Sequence, residues 1–157
     1  MMSLYLFVKT LHILGACVLL GTGAGIAFFM LMAHRTRDAR LIAQTASIVI
    51  LADWIFTASA VVLQPITGVA LAKMANYPVM SGWVGLGILL YLLVGACWLP
   101  VVAIQIRLRA LARTAAEAGA ELPPRYDALF RLWLILGCAA FALVLGVLGL
   151  MVFKPYF

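Results

Sequence analysis

Four apolar runs, each long enough to cross a lipid bilayer as a helix, constrain this chain more than anything else in it. They cover residues 4–32, 43–72, 83–106 and 129–153. A hydrocarbon core about 30 Å thick, climbed at about 1.5 Å per residue, needs roughly 20 apolar residues per crossing. The four runs and their short connections use up the 157 residues. The expected architecture is therefore a single all-α domain over residues 1–157, a four-helix transmembrane bundle with no soluble catalytic unit. Hydrophobic residues are 67% of the chain and charged ones 10%, against about 45–50% apolar in soluble domains, and no water-soluble fold can hide that excess.

The formal net charge of +6 does not point to nucleic acid, because the arginines flank the apolar runs instead of lining a groove-sized face. Arg35, Arg37, Arg40, Arg107, Arg109, Arg113, Arg125 and Arg131 fall at one end of the expected bundle, and Lys9, Lys73 and Lys154 at the other. By the positive-inside rule this asymmetry predicts both termini outside and the basic loops in the cytoplasm. Leu14-Gly15-Ala16-Cys17 has the outline of a lipoprotein cleavage box. Lys9 comes late for a signal sequence, however, and the apolar run continues past Cys17 to Met32, so an uncleaved first span is expected.

Connections are read from punctuation. His34 to Arg40 forms a basic turn, and Asn76 and Pro78 mark a short loop. The third helix is expected to leave the membrane after Ile106 and run on as an amphipathic extension until Pro123-Pro124 stop it. Lys154-Pro155-Tyr156-Phe157 reads as an interfacial anchor. Cys17, Cys97 and Cys138 all sit inside apolar runs and read as small packing residues. Gly21 and Gly25 satisfy the GxxxG spacing of close helix contacts and make a homo-oligomer plausible.

Polar side chains inside hydrocarbon carry the functional information, since each costs several kcal/mol unless paired or used. His12, Gln64 and Tyr91 each lie about eight positions inside the same end of their helices, roughly 12 Å deep, and form one polar layer. His12 reads either as an axial ligand for haem or another metal or as a histidine bonded to Tyr91 or Gln64 across helices. His34, twenty-two residues on, lies about 33 Å away at the opposite face, so it cannot serve the same iron, and it is expected to be solvated beside Arg35. Lys9 shares a helix face with His12 and either snorkels to headgroups or pairs with a porphyrin propionate. Asp53, in the half nearer the basic loops, is expected to pair with Arg131 or to bond Gln105 or Trp133. Its functional alternative is a proton relay or a substrate contact. Gln64-Pro65 and Leu99-Pro100 place prolines within spans, where they free backbone carbonyls and bend the helix.

Asp53-Trp54, Gln64-Pro65-Ile66-Thr67-Gly68, Trp83, Gly95-Ala96-Cys97-Trp98-Leu99-Pro100-Val101-Val102 and Gln105-Ile106-Arg107 resemble the bacterial family called domain of unknown function 2269, predicted integral membrane proteins of similar length. That resemblance implies the fold and a multi-pass place in the bacterial inner membrane. A fainter likeness, through Lys9-Thr10-Leu11-His12, His34 and Lys154-Pro155, extends to HemJ-type membrane protoporphyrinogen oxidases and to copper-resistance four-helix membrane domains. In the oxidases the histidine matching His12 is implicated in haem b binding. The oxidases also carry a lysine shortly after a tryptophan in the third helix, whereas Trp83-Val84-Gly85-Leu86-Gly87 has no basic residue. The likeness therefore does not extend to porphyrin oxidation itself.

Together these readings give a haem b-binding bundle that moves electrons or oxidises a hydrophobic substrate, with His12 as ligand and Lys9, Gln64 and Tyr91 tuning the site. Asp53, Gln105 and Arg131 form a separate intramembrane polar set. The competing class is a non-enzymatic assembly partner or permease component whose polar layer only sets helix register. The bilayer is the one partner the sequence names; a redox or assembly partner is not legible.

Overall fold

The computed structural model describes residues 2–155, and among them every regular element is helical. The order is α1 (Met2–Thr36), α2 (Ala39–Ala52), α3 (Ala58–Met74), α4 (Gly82–Ala118) and α5 (Pro124–Phe153). A π-helical turn, Asp53–Thr57, joins α2 and α3 into one rod. Four helices, the α2–α3 rod counting as one, are long and apolar enough to cross a membrane. At 30 to 37 residues they measure about 45–55 Å, so their ends project beyond the hydrocarbon.

Local chemistry explains each connection. Arg37 adopts a left-handed φ of 58°, and the Asp38 carboxylate then accepts from the Arg40 and Leu41 backbone N–H groups at 2.8 and 3.2 Å, capping α2. Gly119, at φ 60°, ends α4, its N–H turned back to the carbonyls of the last turn. The helix thus ends at Ala118, five residues before Pro123, whereas the sequence suggests that the proline pair stops it. Pro124 instead opens α5 at the first-turn position that tolerates a missing N–H. At the other end Lys154 sets its ammonium 5.9 Å from the rings of both Tyr77 and Trp83. The remainder of the expected anchor, Tyr156 and Phe157, lies outside the described residues.

The rods alternate in direction, so the start of α1, the end of α5 and the α3–α4 loop share one face, here the terminal face. The two tight turns with the arginines form the basic face. The core is concentrated in the basic half, where Met30, Ile42, Leu108 and Tyr126, one from each rod, are fully buried, with Ala33, Ala46 and Ala112 letting backbones approach. In the terminal half the rods pack in two pairs, α1 on α3 and α4 on α5. Phe29, Trp54, Leu92 and Ile135 are more than half exposed, which is tenable only where lipid is the solvent.

The small residues do not all act as expected. A Cβ added at Gly21 or Gly25 would meet nothing within 4 Å, so their GxxxG face makes no close contact among the described residues. Cys17 and Cys138 are exposed and Cys97 is half-buried, so the first two face outward instead of filling the core.

Candidate functional site

The polar layer of the terminal half is held together through backbone carbonyls. Pro65 has no N–H to offer the Val61 carbonyl four residues earlier. The Tyr91 hydroxyl of α4 donates to that carbonyl and makes a polar tie between the two helix pairs. Gln64 Nε2 donates to the His12 carbonyl at 2.8 Å, tying α3 to α1. The crossing depends on Gly15, because a Cβ there would come within 2.3 Å of the same Nε2.

The His12 ring itself meets a residue that the sequence reading did not single out. Its Nδ1 lies 2.8 Å from Thr67 Oγ1. The Thr67 hydroxyl also faces the Leu63 and Gln64 carbonyls at 2.8 and 3.3 Å. Both carbonyls can only accept, so the hydroxyl proton is assigned to them and a Thr67 lone pair to the His12 Nδ1–H. In that tautomer Nε2 carries a free lone pair. The ring lies against Gly68, where an added Cβ would sit 3.3 Å from His12 Cε1. The available signal was the polar pair Gln64 and Thr67, three apart on one helix face and followed by a glycine. Neither Gln64 nor Tyr91 bonds the imidazole. Lys9 is exposed and forms no hydrogen bond or ion pair among the described residues.

A ligating histidine commonly donates its second ring nitrogen to a fixed acceptor, which orients the lone pair of the first. His12, with Nδ1 on Thr67, is arranged so that its Nε2 could hold the iron of a haem. No group of three His, Cys, Asp or Glu side chains that could hold a bare metal ion occurs among the described residues. Gln64 and Tyr91 are committed to carbonyls and fix the helices that carry His12 and Thr67.

A second polar set lies in the basic half. Gln105 Nε2 donates to Asp53 Oδ2 at 3.4 Å, and Trp133 Nε1 donates to Gln105 Oε1 at 3.0 Å, so one buried chain links the π-turn, α4 and α5. The expected Asp53–Arg131 pair does not form. Arg131 is exposed, because the α5 face that turns inward carries Tyr126, Phe130 and Trp133. His34 is likewise not a solvated neighbour of Arg35: its ring stacks on Phe130 with centroids 3.7 Å apart and planes nearly parallel, with Nδ1 buried.

Comparison with curated proteins and with solved structures returned no match. A family model does match, and it covers residues 6–155, the whole four-helix unit including His12, Thr67, Asp53 and Gln105. Apolar rods, lipid-exposed aromatics and buried polar ties agree with that family's description, and the chain belongs to the predicted integral membrane proteins designated DUF2269.

Proposed function

We propose that this integral membrane protein binds haem b in the terminal half of its bundle through His12 and uses it to carry electrons or to oxidise a hydrophobic substrate within the bilayer. The observation that supports the reading is the orientation of the imidazole, with Nδ1 held by Thr67 and Nε2 left with a free lone pair. The likeness of Lys9-Thr10-Leu11-His12 to the haem-binding segment of HemJ-type oxidases points the same way. A bound haem would supply one-electron chemistry. The chain's own part is to fix the ligand: Thr67 sets the tautomer, Gln64 braces the His12 turn, and Gly68 gives the ring room. Lys9, one turn nearer the terminal face, is the cation within reach of a propionate.

The test is the visible spectrum of detergent-purified protein from haem-replete cells. A Soret band that disappears in His12→Ala is the expected result. A colourless, fully folded preparation would end the reading. It would favour the second one, an accessory or permease-type membrane protein, which draws its support from Gln64 and Tyr91 both ending on backbone carbonyls.

The same proposal sets the termini outside and the basic face in the cytoplasm of a bacterial inner membrane, on the strength of the arginine asymmetry. In a chain whose three cysteines are replaced by serine, Ala118→Cys should react with an impermeant thiol reagent only after the cells are permeabilised. Reaction in intact cells would reverse the orientation.

A further inference from the structure

The π-turn gathers more polar atoms than the Asp53–Gln105–Trp133 chain uses. Asp53 is 5% exposed and Thr57 7%, while Trp54, Ile55 and Phe56 between them face lipid. Thr57 and Trp98 flank the Asp53 carboxyl. Neither forms a hydrogen bond of good geometry, and Thr57 Oγ1 and Trp98 Nε1 are both buried without a partner. Buried hydroxyl and indole N–H groups are rarely left unpaired. Two beside one carboxyl, in a π-turn of the kind that recurs at functional sites, mark a place built for an exchangeable guest.

We propose that Asp53, Thr57, Trp98 and Gln105 form a buried proton-binding site, distinct from the His12 layer. The bound ligand is one proton on Asp53, exchanged through a water that bridges the carboxyl to Thr57 and Trp98, a site with the two to four polar partners that a buried water needs. In the exchange the Asp53 carboxylate takes a proton from a hydronium of the aqueous phase, leaving a carboxylic acid and a water molecule, and no other bond changes. The partners suit both states. Gln105 is oriented by Trp133 so that its NH2 faces Asp53, and with the Trp98 N–H it serves the anion. The Thr57 hydroxyl can donate to the anion or accept from the acid.

Among the described residues no second charge competes at this site. The charged groups nearest along the neighbouring helices, Arg107 on α4 and Arg131 on α5, are exposed. On α1 the flanking titratable side chains are Cys17, exposed, and His34, engaged with Phe130. On α2 and α3 none intervenes between Arg40 and Lys73. Cys97, beside Trp98 in sequence, is half-buried.

Infrared difference spectroscopy of the full chain in nanodiscs, scanned across pH, tests the proposal. The expected result is a buried-carboxylic-acid C=O band that appears and disappears reversibly with pH, is absent in Asp53→Asn, and shifts its midpoint in Trp98→Phe. The last variant keeps the carboxyl and removes only an orphaned N–H, so it remains informative if Asp53→Asn fails to fold. A band that never changes with pH, or a midpoint that Trp98→Phe leaves in place, would overturn the assignment. The readout is independent of haem, so its failure and that of the His12 reading are distinguishable.

Discussion

The Tyr91 hydroxyl on α4 donates to the Val61 carbonyl on α3, the carbonyl that Pro65 leaves without a helical N–H. A proline inside a span and a tyrosine on another helix thus form a single device. The ring that breaks the helix ladder creates an acceptor, and the phenol fills it where no water is available.

The coupling can be measured. Tyr91→Phe should destabilise the protein by about 1 kcal/mol, the upper part of the range for hydrogen bonds between membrane helices. In a Pro65→Ala background the new N–H takes the carbonyl, and the same substitution should cost little. Unfolding in detergent micelles reads the cycle, and equal losses in both backgrounds would dissociate the two residues.

Two glycines of α1 should respond oppositely to alanine. Gly15→Ala places a Cβ 2.3 Å from Gln64 Nε2 and displaces that amide from the His12 carbonyl, a loss of about 1 kcal/mol for the hydrogen bond. Gly21→Ala meets nothing within 4 Å and should be neutral or slightly stabilising. Thermal unfolding of the two variants side by side decides the matter. Equal loss in both would mean that the Gln64 crossing does not depend on Gly15.

Gln105 is fully buried between Asp53 and Trp133. Gln105→Leu deprives the Trp133 N–H of its acceptor and Asp53 of its donor, and should cost about 2–3 kcal/mol in chemical unfolding. Arg131→Ala should change stability by less than about 0.5 kcal/mol, since that side chain is exposed and unpaired among the described residues. A large loss in Arg131→Ala would restore the carboxylate–arginine pair that the sequence suggested.

At the basic face Arg37 holds Asp127 in a two-pronged ion pair at 2.6 and 3.1 Å. That hydrogen bond keeps the Asp127 carboxyl below its ordinary range. The stabilisation is fully present above the ordinary carboxylate value and is lost as pH falls through the depressed one. The stability gap between wild type and Asp127→Asn should therefore be flat down to about pH 5 and close below about pH 4. It will be small and salt-sensitive, because the side chains are 55% and 36% exposed. A gap that widened in acid would contradict the pairing.

Run length and hydropathy made the four rods legible, since crossing a bilayer is a one-dimensional requirement. Depth along a rod was legible for the same reason, so Gln64 and His12 could be assigned to one layer. Rotation about the rod was not. Arg131 stands two residues from Trp133 on α5, and only the packing of α5 on α4 decides that the indole turns inward and the guanidinium outward. The role of Thr67 is not legible, because a lone threonine in an apolar helix usually bonds its own i−4 carbonyl, and this one does so while also receiving His12. The π-turn has no sequence signature in Asp53-Trp54-Ile55-Phe56-Thr57 beyond the presence of an acid.

Because all four rods interlock only in the basic half, rigidity is graded along the membrane normal. One leaflet surrounds a seam closed by aromatic and alanine contacts. The other surrounds two helical jaws joined by the α3–α4 loop and tied by the Tyr91 phenol. Lateral pressure in the lipid therefore acts mainly on the jaws, and thickening or thinning of that leaflet changes their spacing before it disturbs the seam.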